Sequence, residues 1–296
     1  MNKVLTGNQP EMANYEFLIG VDDLKQGLDR HSVTVVDCRF DLMQPAKGRD
    51  EYQQGHIPGA RYADLDKDLA GPVTESTGRH PLPPPQDFAK TLGAWGIGNE
   101  TQVVVYDHGS GAIAARLWWM LKWLGHDSVA VLDGGYAAWQ HAGYPLSDKE
   151  EIITSRTFQP SPDEALTVST SELVASMQSG DAVRIVDARD PARFAGMREP
   201  IDSVAGHVPG ALNHPFSAAI NTEGGWKSAS ELRDGWEGIL GGNTRQAWVA
   251  MCGSGVTACH LALSARVAGY PQPRLYVGSW SEWIRDPGRP IAADIR

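Results

Sequence analysis

AWVAMCGSGVTACHLALSARVAG, residues 247–269, reads as a strand, a turn and a helix in immediate succession. The first five residues are a short apolar run, and Cys252 stands at its end. Glycines at 253 and 255 let the backbone curl, so that successive N–H groups point into one concavity that favours anions. From Val256 onward the apolar residues cover one broad face, and Gly269 closes the segment as a glycine closes a helix. In an open parallel sheet such a strand-to-helix turn lies beyond the carboxyl end of the strands, where ligands bind. The following helix adds the partial positive charge of its N-terminus. A thiol in that position is expected below its ordinary range, and any sulfur anion there is stabilised.

The same phrase is written earlier in the chain. The first half carries VVDCR at 35–39, GHIPGA at 55–60, VVVYDHGSGAIAA at 103–115 and LDGGYAAW at 132–139. The second half repeats the order with IVDAR at 185–189, GHVPGA at 206–211, WVAMCGSGVTACH at 248–260 and YVGSWSEW at 276–283. Order and spacing kept over four blocks mark a duplicated domain, not a short-period solenoid. In this alignment the first copy has His108 where the second has Cys252, so only the second half can act covalently. The first is expected to be a structural, interface-forming copy.

Within each copy, short β-branched runs (TVVD, RIVD, VVVY, AWVAM) alternate with helical stretches such as AARLWWMLKWLG. This alternation predicts an α/β fold: a mostly parallel sheet flanked by helices, twice over. The expected domains span 1–146 and 168–296, joined by a polar, proline-bearing linker over 147–167. Trp118, Trp119, Trp123, Trp139, Trp280 and Trp283 sit in periodic segments and are expected in the core or the domain interface. Asp37 with Arg39, and Asp187 with Arg189, are expected to form strand-end ion pairs.

Composition bounds the function. At 296 residues, 42% hydrophobic and 21% charged, the chain is globular and large enough for two domains. A formal net charge of −10 argues against nucleic-acid binding, so an anionic substrate needs a local basic cluster. There is no apolar window of transmembrane length and no signal-peptide core. The three cysteines, Cys38, Cys252 and Cys259, form no disulfide framework and suit a reducing, cytoplasmic setting. Cys and His spacings show no metal pattern, and no cofactor is expected. Cys259, seven residues after Cys252, is expected two turns into the helix, in the core. A phosphate-clamping arginine six residues after the cysteine is absent, since position 258 is Ala, which argues against a cysteine phosphatase.

The doubled GH-[IV]-PGA motif and Cys-Gly-Ser-Gly-Val-Thr at 252–257 resemble the two-domain rhodanese superfamily of sulfurtransferases, over about residues 15–291. The resemblance implies transfer of a sulfane sulfur through a persulfide on Cys252, with Gly253, Gly255, Val256 and Thr257 forming the cradle. The donor would be 3-mercaptopyruvate or thiosulfate, and the acceptor cyanide, a small thiol or a reduced protein thiol. The neutral loop resembles that of mercaptopyruvate-using members, in which Ser254 would join a His and an Asp from the first domain. His56 matches the histidine, and Asp50 is the aspartate candidate. The family's two substrate arginines map onto Arg193 and position 201. The latter is Ile, which leaves Arg198 as the substitute. The alternatives are thiosulfate:cyanide transfer and a non-catalytic sulfur-carrier or interaction module.

Overall fold

The structure, a computed structural model, describes residues 14–29, 33–150, 152–179, 183–241 and 247–294. Two five-stranded sheets are each parallel throughout. The first domain runs β1 (Leu18–Ile19), α1 (Val21–Asp29), β2 (Val33–Asp37), α2 (Lys47–Gln54), β3 (Arg61–Tyr62), α3 (Pro85–Ala94), β4 (Gln102–Tyr106), α4 (Ala114–Trp123), β5 (Val129–Leu132) and α5 (Gly135–His141). The second repeats it as β6 (Thr167–Val168), α6 (Thr170–Ser179), β7 (Arg184–Asp187), α7 (Pro191–Phe194), β8 (Leu212–Asn213), α8 (Ala229–Leu240), β9 (Trp248–Met251), α9 (Thr257–Val267), β10 (Arg274–Tyr276) and α10 (Ser279–Trp283). Strand order is β1-β5-β4-β2-β3 in one sheet and β6-β10-β9-β7-β8 in the other, the same order twice.

The near-continuous apolar strands follow from burial on both faces. In β4, Val103 and Val105 join the core that continues into the second domain, whereas Val104 and Tyr106 face the opposite cluster under Trp139. Helices α4 and α9, the apolar stretches that follow the two Gly-Ser-Gly turns, pack against each other across the domain boundary. All six tryptophans singled out above are buried. Asp37 and Arg39 pair as expected, and Arg39 also donates to the Gly55 carbonyl at 2.7 Å. Asp187, Arg189 and the Gly206 carbonyl repeat this arrangement.

Strand register refines the internal alignment. Asp37 pairs with Tyr106, and its counterpart Asp187 pairs with Met251. The next residues, Asp107 and Cys252, therefore occupy the same place at the sheet edge, and His108 is not the counterpart of the cysteine. The first loop is one residue longer, and the copies come back into step at Gly111 and Gly255, with φ of +76° and +77°. A gapless comparison of sequence could not see this, because HGSG and CGSG align by letter.

The segment expected as a linker is strapped to the first domain. Ser147 bridges to His56, Arg156 N–H donates to the Gly93 carbonyl, and Ser161 N–H to the Leu124 carbonyl. Phe158 is buried beside His126.

Candidate active site

Cys252 follows β9 and is 2% exposed. Its Sγ accepts the Gly255 N–H at 3.1 Å, which turns the loop back over the sulfur. Only glycine serves at 255: φ is +77°, and a Cβ there would lie 2.4 Å from the Val277 carbonyl oxygen. The start of α10 grips the loop from the other side. Trp280 N–H donates to the Cys252 carbonyl at 3.0 Å, and Ser281 N–H to the Gly253 carbonyl at 2.8 Å.

Cys259 lies in the first turn of α9, not two turns in, because the helix begins at Thr257. Its Sγ donates to the Gly255 carbonyl at 3.2 Å, and burial pushes the thiol up to about 12. Cys259 is therefore protonated and inert at neutral pH.

Ser254 meets a histidine, but it is His80, not His56. His80 Nδ1 lies 2.8 Å from Ser254 Oγ, and its Nε2 lies 3.0 Å from Asp66 Oδ1. Burial, with Arg116 and Arg79 nearby, pushes the His80 ring down to about 3, so it is neutral at physiological pH. Burial and the adjacent Asp64 raise the Asp66 carboxyl above the usual carboxylate range. Asp66 accepts from Nε2–H, which leaves the Nδ1 lone pair to accept the Ser254 hydroxyl proton. His56 instead turns Nδ1 to the Tyr52 carbonyl at 2.8 Å and stacks on the Tyr52 ring. His207 does the same in the second domain, with the Phe194 carbonyl and ring. Asp50 sits in the first turn of α2, on the surface, away from Ser254. The sequence reading missed His80 and Asp66 because they lie in irregular chain, LDKD and GRHPLPPP, which carries no periodicity. The available signal was asymmetry: GHxPG occurs in both halves, as fold elements do, whereas GRHP occurs once.

Two guanidinium groups flank the loop at Gly253. A Cβ at Gly253 would lie 3.1 Å from Arg79 Nη2 and 3.5 Å from Arg193 Nη2. Arg193 is clamped by Glu199 at 2.8 Å and Asp202 at 3.1 Å, and Arg79 pairs with the same Asp202 from the other domain. Burial works to raise the Glu199 carboxyl, yet hydrogen bonds from Arg193 and from the Asp202 and Ile201 amides hold it below its usual range. For Asp202 burial wins, and its carboxyl is raised despite the two arginines. Arg198 does not reach this cluster; it is exposed and lies 3.9 Å from Asp190. Ile201 is exposed as well. The second cation beside the loop is thus Arg79, the residue before His80, from the domain without the thiol.

Arg116 completes the floor. Fully buried in α4, it donates to the carbonyls of Gly255 at 3.2 Å and His80 at 3.0 Å, and to Leu69. It joins the cysteine loop to the histidine segment across the domain boundary. Among the described residues no helix is long and apolar enough to cross a membrane.

The rhodanese-like domain model matches the chain twice, over residues 20–142 and 169–286. A probable 3-mercaptopyruvate sulfurtransferase of Pseudomonas aeruginosa is 47% identical over 278 residues, covering 93% of this chain and 97% of that one. A putative thiosulfate sulfurtransferase of Mycobacterium tuberculosis is 35% identical over 261 residues, covering 88% and 90%. The solved 3-mercaptopyruvate sulfurtransferase of Leishmania major superposes with a TM-score of 0.80 at 31% identity, covering 90% of this chain and 74% of that one. With both domains matched and the relatives agreeing on the reaction class, the chain belongs to the rhodanese family in its tandem-domain form and is a sulfurtransferase.

Proposed function

We propose that this sulfurtransferase takes sulfur from 3-mercaptopyruvate onto Cys252 and passes it from the resulting persulfide to a small thiol, cyanide or a reduced protein thiol. The observation that carries this reading is the Ser254–His80–Asp66 chain beside the cysteine loop. Attack of the Cys252 thiolate on the mercaptopyruvate sulfur forms an S–S bond and breaks the C–S bond. The departing electron pair enters the keto group as an enolate, and the proton of the donor thiol ends on carbon, giving pyruvate. Ser254, His80 and Asp66 would move that proton. Thiosulfate needs no such transfer, because sulfite leaves as an anion.

The donor carboxylate would lie between Arg79 and Arg193, near Gly253. Planar guanidinium groups suit a carboxylate, and acidic clamps on each keep both pre-oriented. The loop N–H groups, Gly255 among them, would hold the outer sulfur once it is transferred. Cytoplasmic residence, in keeping with three unpaired cysteines, belongs to the same reading.

Thiosulfate remains the second reading, because the same arginine pair suits a dianion and one relative bears that name. Comparing kcat/KM for the two donors with one acceptor decides between them. A ratio favouring mercaptopyruvate is expected, and a ratio favouring thiosulfate overturns the donor assignment. Donor alone should add about 32 Da to the protein, one sulfur atom, and Cys252→Ala should abolish the gain.

A further inference from the structure

Among the described residues, positive φ falls on glycine everywhere except at one position, Ser279, with φ +52°. That conformation is sterically unfavourable for any residue with a Cβ, and it persists only where the surroundings enforce it. The first domain solves the same turn with Gly135 at φ +55°. There a side chain is forbidden outright: a Cβ would lie 2.7 Å from the Asp107 carbonyl oxygen and 2.9 Å from Gly109 N. The shorter loop of the second domain makes room, and serine occupies a position that glycine would fill without strain.

The hydroxyl accounts for the exchange. Ser279 Oγ donates to the Tyr276 carbonyl at 2.8 Å, which aims its lone pairs, and accepts the Cys252 N–H at 3.1 Å. Cys252 is buried, so this amide would otherwise lack a partner or turn toward its own sulfur. With Trp280 holding the Cys252 carbonyl, both peptide groups around the cysteine are pinned by α10. The origin of the Cα–Cβ bond is then fixed relative to Gly255 N–H.

We propose that Ser279 is a positioning residue for sulfur transfer, its left-handed backbone retained because its hydroxyl orients the Cys252 peptide. The proposal rests on the reading of Cys252 as the sulfur acceptor. Full-length Ser279→Gly and Ser279→Ala test it by single-turnover sulfur uptake from 3-mercaptopyruvate, followed by mass, and by alkylation of Cys252 with iodoacetamide at fixed pH. Ser279→Gly removes both strain and hydroxyl. It is expected to melt close to the parent temperature, the relieved strain offsetting the lost hydrogen bond, yet take up sulfur about tenfold more slowly, with half-saturating donor unchanged, as misplaced reacting groups do. Ser279→Ala keeps the strain without the bond, and should lose both rate and melting temperature. Alkylation in Ser279→Gly should differ from the parent at least about threefold, since a displaced thiol meets the reagent differently.

Parent-like uptake and alkylation in Ser279→Gly overturn the proposal. If the parent itself gains no sulfur on Cys252, the acceptor reading fails instead, and alkylation still decides Ser279: an unchanged rate refutes positioning, a changed one supports it.

Discussion

The two loops after β4 and β9 begin at the same place on the same sheet, yet one holds a carboxylate and the other a thiol. Asp107 turns its side chain into its own loop, where the carboxylate accepts N–H groups from Gly109, Gly111, Ile113 and Ala114 at 2.9–3.2 Å. Cys252 Sγ accepts one, from Gly255. Both loops are built to hold an anion. In the first the anion is a fixed part of the chain; in the second it is a sulfur that can be extended and exchanged. A carboxylate oxygen and the outer sulfur of a persulfide both lie two bonds from Cβ, so Asp107 displays the occupied form of the cradle. The first loop has become a docking pad: His260 of α9 donates to the Ser110 carbonyl at 2.9 Å while stacked on Trp226, whose backbone N–H donates to Asp133 at 2.8 Å. His108 points outward and pairs with Glu51 at 2.6 Å.

If the chemistry belongs to the site built around the second loop, substitutions at that site should change rates, and those in the first loop should change stability. The largest expected effect is at His80. His80→Gln should lower kcat/KM for 3-mercaptopyruvate about a hundredfold, the usual loss for a proton-transfer partner, and leave thiosulfate within about threefold. Equal losses on both donors would make His80 a structural residue. Next is Arg79→Ala, expected to lower kcat/KM for either donor about tenfold, mostly through KM, as loss of a charged anchor does. Arg198→Ala should stay within about twofold, as an exposed, weakly paired cation implies. Asp107→Asn should leave the rate of sulfur uptake unchanged but cost about 2 kcal/mol of stability. The amide brings its own donors to a site made of donors, and the melting temperature should fall by about 5 °C. A rate loss without a stability loss would break the division of labour.

The smallest effect concerns pH. Burial pushes His214 and His260 down to about 4, and His80 to about 3. Unfolded histidines titrate near about 6.5, so below that pH the unfolded chain binds more protons than the folded one. This contribution to stability is complete above about 6.5 and is lost as pH falls toward the folded values. The melting temperature should therefore decline by a few degrees from pH 7 to pH 5, and His260→Phe, which keeps the ring in its stack, should flatten the decline.

The fold was legible because duplication writes it twice: four matched blocks predict two parallel sheets with one strand order. The position of Cys252 was legible for a local reason, since a strand end, two glycines and a helix start are consecutive in sequence. The partners of Ser254 were not. His80 lies 174 residues away, in chain with neither helical nor alternating pattern, and is brought to Ser254 by domain docking. Arg79 was hidden in the same way, whereas His56 attracted attention through a motif whose repetition in His207 marks it as structural. The one-residue difference between the loops was invisible because glycine and serine recur in both, and only hydrogen-bonded register distinguishes them.

That extra residue has an evolutionary consequence. Restoring a thiol to the first copy by Asp107→Cys alone would remove the charge that four amides surround, on a loop of the wrong length. Deleting the residue alone would pull the Ser110 carbonyl away from His260, which it helps to seat. Making the first loop like the second therefore takes two coupled changes, a substitution and a deletion, each costly alone. The half without the reactive cysteine is thereby committed to the other, to whose loop it brings His80, Asp66 and Arg79.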